Sequence, residues 1–218
     1  MRAFASLLVV VFLAAALPAA AQSKSAHGKL FPPQDLGLLE GPDRDLWQLP
    51  GQIMDALGIA EGSVAADIGA GGGWFTIRLA RRVGPNGLVY SEDIQPEMLE
   101  ATGRRVSKEG LRNVRTVLGK DDDARLPAGA LDAVLIVDTY HELEYPTALL
   151  RNIATSLKPQ GRVGVVDFKK DGLGPGSDAL ADRVDPDVIV RDAEAAGLKL
   201  VRRETFLPYQ FLLIFARR

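Results

Sequence analysis

The sequence predicts an α/β protein built on a doubly wound, mostly parallel sheet. Three observations carry that reading. Short apolar strands alternate with amphipathic helices along most of the chain. A glycine-rich turn joins the first of these strands to the helix behind it. The chain closes on two strands, 198–206 and 210–216, linked only by Leu207-Pro208-Tyr209, too short a link for anything but an antiparallel pair.

Each element has its own signal. Residues 22–41 lack a period and contain Pro32-Pro33, which reads as a surface lead-in. Residues 42–58 read as helical, interrupted by Pro50, with Trp47, Ile53, Met54 and Leu57 as the apolar positions. Val64–Ile68 is a short buried strand, and Trp74–Val83 is a helix with Phe75, Ile77, Leu79 and Val83 towards one side. The turn Gly84-Pro85-Asn86-Gly87 leads into a strand over 88–91. Pro96 suits the first turn of a helix that runs to about Glu109, before Gly110. Val114–Leu118 and Leu131–Val137 are the third and fourth strands. The fourth is apolar throughout after Asp132, as a strand covered on both faces should be. Residues 146–157 form a helix, Pro159-Gln160-Gly161 a turn, and 162–168 the fifth strand. A glycine-rich loop over 169–185 is a candidate lid, and a helix over 186–196 ends at Gly197.

Composition narrows the function classes. The chain has 218 residues, 47% hydrophobic and 25% charged, enough for one sizeable core without staples. With no Cys, a disulfide, a thiolate metal site or a cysteine nucleophile is excluded. Only His27 and His141 are present, so a three-histidine metal site is excluded as well. A net charge of −2 argues against a nucleic-acid partner held by bulk phosphate neutralisation.

Residues 1–21 have the anatomy of a secretory signal peptide. Arg2 is the only charge, the run Leu7 to Leu17 is apolar, Pro18 breaks it, and Ala19-Ala20-Ala21 gives a cleavage site before Gln22. The run is short for a membrane span, so the expectation is a periplasmic or secreted protein with no stable span after cleavage. The alternative is an uncleaved N-terminal membrane anchor. The expected organisation is a signal peptide over 1–21, a lead-in with covering helices over 22–60, and one catalytic domain over 61–218.

The chemistry is concentrated at strand ends. Residues 64–75 read VAADIGAGGGWF, with Asp67 ending the strand and glycines at 69, 71, 72 and 73. Such a turn lets a ligand approach the backbone closely, and the helix behind it offers free N–H groups. A dinucleotide fingerprint starting at Gly69 would need glycine where Trp74 stands. The observed pattern is Asp67-Gly69-Gly71-Gly73. After an apolar strand it resembles motif I of the class I methyltransferases that depend on S-adenosylmethionine (SAM). The stretch from Asp93 to Leu99, D-x-Q-P-E-M-L, resembles the following segment of the same family, and LKPQGRV at 157–163 and the terminal hairpin agree with it. The stretch from Arg44 to Pro50, R-D-x-W-Q-x-P, looks like a small bacterial exported subgroup.

The resemblance implies a seven-stranded sheet of order 3-2-1-4-5-7-6 and SAM as the cofactor. Gly69, Gly71 and Gly73 would line its methionine part, with Asp67 holding the amino end. Asp93 would take the ribose hydroxyls, since one carboxylate can accept two protons. Glu92 is the neighbouring candidate, and strand alternation should turn one of the two away. Ile94 and Met98 would lie near the adenine. Counting back from Pro127 points to Asp122 for the adenine amino group, with Asp123 next to it. Asp138, Tyr140 and His141, beyond the fourth strand, are the candidate catalytic residues, with Glu142 beside them. His141 has the pKa range of a base for a hydroxyl or amine acceptor. Arg44, Trp47 and Gln48 could reach the cofactor or substrate, or Trp47 could simply anchor the covering helix. A small-molecule acceptor remains by elimination. Two rivals stand beside methyl transfer: an inactive SAM-binding or scaffold protein of the same fold, and a nicotinamide oxidoreductase, which Trp74 argues against.

Overall fold

The computed structural model describes residues 30–175 and 183–218. The candidate signal peptide lies outside the described residues, as do 176–182 of the candidate lid. Seven strands form one sheet: β1 Val64–Ile68, β2 Leu88–Asp93, β3 Val114–Leu118, β4 Leu131–Val137, β5 Leu157–Phe168, β6 Leu198–Glu204 and β7 Gln210–Arg217. Their order is β3-β2-β1-β4-β5-β7-β6, with β7 antiparallel to both of its neighbours and the other pairs parallel. The predicted fold class and strand order are therefore those observed.

Strand alternation sorts the core into two layers. Ala133, Leu135 and Val137 of β4 face one side with Ala65 of β1, while Val134 and Ile136 face the other with Ala66 and Ile68. The first side is covered by α2 (Pro50–Ala56) and α3 (Trp74–Val83) through Ile53, Met54, Phe75, Leu79 and Val83. The second is covered by α5 (Pro146–Ser156) and α6 (Pro186–Ala195) through Leu149, Leu150, Ile153 and Ile189. α4 (Pro96–Lys108) follows β2, and a short α1 (Arg44–Gln48) precedes α2. Crossovers run in opposite directions from β1 and β4, so a crevice opens at the carboxyl ends of these two central strands.

Several boundaries differ from the sequence reading. β2 runs two residues further, to Asp93, because Ser91, Glu92 and Asp93 pair with Thr116, Val117 and Leu118 of β3. β5 starts at Leu157, since Leu157 already pairs with Leu131 and the Pro159–Gly161 stretch is carried as an irregularity between two registers. The interruption expected at Pro50 is present: residues 42–58 hold two helices, α1 and α2, hinged at Leu49 in the left-handed region with φ 48°. The aperiodic lead-in contains a 3-10 helix, Pro33–Leu39. This helix is no free surface segment: Leu36 lies against Gly71 and Gly72, and Arg105 of α4 pairs with Glu40 just beyond it.

Candidate functional site

A cavity of about 530 Å³ occupies the crevice, floored by the β1 turn and the ends of β2, β4 and β5 and roofed by residues 30–47. Its glycine turn explains the motif spacing. Gly69, Gly71 and Gly73 all adopt positive φ, 64°, 53° and 78°. Only glycine takes that region without cost at every second residue. Gly69 also has no room: a Cβ there would overlap the Thr139 side chain. The bare backbone is thus a cradle for a ligand, and the family's cofactor fits a turn of this kind.

Asp67, Glu92 and Asp93 stand around the cradle, all buried. Asp67 Oδ2 accepts the Thr76 hydroxyl at 2.6 Å, and burial raises its pKa to about 6. Asp93 Oδ2 accepts Gly71 N–H and its Oδ1 accepts Gln95 N–H, both at 2.9 Å. Burial raises its pKa as well. Glu92 Oε2 sits 3.4 Å from Gly69 N, and burial, reinforced by the Asp93 charge, pushes it up to about 8. The expectation that one of these neighbours turns away is corrected: both line the cavity. Glu92 does so because Gly119 leaves space for it, since a Cβ on Gly119 would overlap Glu92 Oε1. Ile94 and Met98 line the cavity too.

The aspartate triplet is in a different register from the one expected. Asp121 and Lys120 line the cavity, whereas Asp122 borders an adjoining depression and Asp123 lines neither. Asp123 is turned into its own loop, where Oδ1 accepts Arg125 N–H at 2.8 Å and its backbone pairs with Lys120.

The far end of the cavity is a polar cluster at the ends of β4 and β5. Asp138 leaves β4 with φ 52°, and its two oxygens accept Gln210 Nε2 at 2.5 Å and Arg44 Nη2 at 3.5 Å. Gln48 Nε2 donates to Gln210 Oε1 at 2.6 Å, completing a chain of four side chains. Burial raises Asp138 to about 7 against the pull of Arg44. His141 Nδ1 lies 3.4 Å from Asp167 Oδ2, and its Nε2 lies 3.7 Å from Glu142 Oε1. Burial alone would lower the His141 pKa; the Asp167 hydrogen bond and the carboxylates of Asp167, Glu142 and Asp138 outweigh it and hold it at about 8. Tyr140 does not join this cluster. Its side chain is buried in the core under α5 and α6, where the hydroxyl donates to Asp192 Oδ2 at 2.8 Å. Trp47 both lines the cavity and packs, its ring 5.9 Å from Phe168.

Asp167, Gln210, Arg183 and Asp121 are site residues that the motif reading does not pick out. Asp167 carries a legible signal, a lone carboxylate at the end of the apolar run VGVVDF, the same signature as Asp67. Gln210 and Arg183 carry none. Among the described residues no group of three His, Cys, Asp or Glu side chains is placed to hold a metal ion, and no helix is long and apolar enough to cross a membrane.

Residues 65–161 match the family model described as a methyltransferase domain. The chain has the α/β fold and strand order of the class I methyltransferases. The chain is 27% identical to a SAM-dependent methyltransferase of Aquifex aeolicus whose solved structure superposes with TM-score 0.81, covering 85% of this chain and 98% of that one. It is also 29% identical over 145 residues to the nocamycin O-methyltransferase of Saccharothrix syringae, covering 63% of this chain and 52% of that protein. Over 128 residues it is 33% identical to the ubiquinone/menaquinone biosynthesis C-methyltransferase UbiE of Pasteurella multocida, covering 56% of this chain and 46% of that protein. The chain thus spans about half the length of these two curated relatives. The cofactor expected from the motif, SAM, agrees with these comparisons.

Proposed function

We propose that this chain binds SAM between the glycine turn and the acids at the ends of β1 and β2, and methylates a small molecule lodged at the His141 end of the cavity. One observation carries the reading: a single cavity joins the motif I cradle to a cluster holding a titratable base. The relatives named above act on oxygen and on carbon according to their names. An oxygen or nitrogen acceptor is favoured here, because those acceptors carry a proton to be removed and His141 stands where it can take one.

Bound SAM supplies a methyl group on a sulfonium centre. The protein's own part is positioning and proton transfer. Gly69, Gly71 and Gly73 give the methionine part backbone contact, and Asp67 offers a negative partner for its ammonium. Asp93 and Glu92 offer carboxylates to the ribose hydroxyls. The strap over residues 30–47, tied down through Phe31 to Glu142 and Gln95, Glu40 to Arg105 and Arg44 to Asp138, shields the reacting centre from water. Residues 22–60 act as the cover of a catalytic domain over 61–218. The apolar segment 1–21 directs export to the periplasm or beyond, with cleavage near Ala21.

Calorimetric titration of residues 22–218 with SAM, with its demethylated product S-adenosylhomocysteine and with NAD tests the cofactor assignment. Micromolar binding of the first two and none of NAD is expected; failure to bind SAM would overturn the proposal. The mass of the protein recovered from fractionated cells tests the cleavage.

A further inference from the structure

Three carboxylates surround His141, and they are not equivalent. Both oxygens of Asp138 are occupied, by Gln210 and Arg44. One oxygen of Glu142 accepts Phe31 N–H at 3.1 Å from the strap, and the other stands 3.7 Å from His141 Nε2. Asp167 is the most buried of them, with its side chain 1% exposed at the end of β5. Its Oδ1 accepts the N–H of Phe168 at 2.8 Å, which fixes the carboxyl rotamer. The remaining oxygen, Oδ2, then faces His141 Nδ1 at 3.4 Å.

We infer that Asp167 is the positioning residue that makes His141 a base: it keeps the proton on Nδ1 and presents the Nε2 lone pair to the acceptor. The inference rests on the methyl-transfer reading proposed above and adds a residue to it. As the bond between acceptor and methyl forms, the bond between methyl and sulfur breaks with its electron pair left on sulfur, and the acceptor's O–H or N–H proton passes to Nε2. The imidazolium so formed is stabilised by the Asp167 carboxylate, one strand away from the element that carries His141. A neutral amide at 167 would leave the cation unstabilised, and its NH2 group would favour the opposite tautomer by donating to Nδ1.

The sequence makes this testable without knowing the acceptor, because His27 is the only other histidine. Proton and nitrogen NMR of the imidazoles follows both, and His141→Gln assigns the signals. In the wild-type protein the neutral His141 should be the Nδ1–H tautomer and should titrate near 8. Asp167→Asn should move that titration about tenfold or more towards lower pH in proton affinity and shift the tautomer balance towards Nε2–H, while Glu142→Gln should move it less. SAM affinity should be unchanged in Asp167→Asn, which also reports that the variant folds. Once an acceptor is in hand, kcat should fall by about ten- to hundredfold, part of the factor a general base supplies, and the limb of the pH–rate profile should follow the His141 titration to lower pH. A His141 titration and tautomer that do not respond to Asp167→Asn would overturn the inference. So would a wild-type His141 found as the Nε2–H tautomer, a result that needs no variant to fold. If wild-type protein fails to bind SAM while the His141–Asp167 coupling is seen, the methyl-transfer reading has failed and the pairing has another use.

Discussion

Asp93 has two tasks in the structure, because its two oxygens tie the glycine turn to the start of α4 through Gly71 N–H and Gln95 N–H. A ribose must therefore compete for, or share, a carboxylate that is already structural. Asp93→Ala should weaken SAM binding by about 1–3 kcal/mol, the range for a lost hydrogen bond to a charged group together with the donors it leaves behind. Calorimetry reads this directly; unchanged affinity would move the ribose to Glu92, which lines the same wall. His141→Ala should leave SAM affinity intact and abolish turnover, and a large loss of affinity would place His141 in the cofactor half of the cavity. At this scale the sequence is legible wherever the chemistry follows local geometry. Asp67 and the three glycines are readable because strand end, turn and positive φ lie within a few residues. Asp122 is not, because the Lys120–Asp123 pairing sets the register of that loop and turns Asp121 inward, a contact no count from Pro127 contains. Tyr140 leaves the site because its partner Asp192 lies on α6, 52 residues away. Gln48 and Gln210 meet across 162 residues and have no local signal at all.

Elements place these residues, and the covering segment depends on close approach to the sheet. Gly164 in the middle of β5 is where this happens: a Cβ there would lie 2.8 Å and 3.0 Å from the two methyl carbons of Leu57, just after α2. Leu57 sits in the same core layer as Leu135 and Ile214, so it has little room to retreat. Gly164→Ala should therefore destabilise the fold by about 1–3 kcal/mol, the usual cost of overpacking a filled core, and lower Tm accordingly. Because the site lies at the carboxyl end of the sheet, SAM affinity should hold, and a loss of binding without a loss of Tm would contradict this account. The central strands are readable in the sequence because continuous apolar runs have only one reading when both sheet faces are covered. β1 and β4 begin and end where the pattern does. The lead-in is not readable, because it is held by Phe31 backbone bonds to Glu142 and Gln95 and by the Arg105–Glu40 pair, with no period of its own to display.

The whole molecule gathers more negative charge around its cavity than the cavity can solvate by itself. Asp67, Glu92 and Asp138 all line it, with pKa values raised by burial to about 6, 8 and 7. A folded-state pKa above the unfolded one means that the native state holds its proton more tightly. The stability that follows is complete below the ordinary carboxylate range and is lost as pH rises through 6 to 8. His141, raised to about 8, acts in the same direction, since its charged form is favoured by folding until that pH. Each tenfold gain in proton affinity on folding corresponds to about 1.4 kcal/mol, so ionising the three acids in the ligand-free protein works against the fold. A sulfonium cation placed among them stabilises the ionised forms, so SAM should bind with release of protons near neutral pH. S-adenosylhomocysteine, whose sulfur is neutral, should release fewer. Thermal melts from about pH 5 to pH 8.5 should therefore show the ligand-free Tm falling, the increment given by SAM growing, and the increment given by S-adenosylhomocysteine growing less. Calorimetry near neutral pH in buffers of different ionisation enthalpy should give proton release on SAM binding. A ligand-free Tm that is flat over this window would mean that the acids stay hydrated in an open cavity. Equal increments for the two ligands would mean that the acids do not sense the sulfonium. With both differences present, the buried acids favour the charged methyl donor over its product, so that loss of the methyl group itself weakens the ligand's hold on the cavity and assists its release.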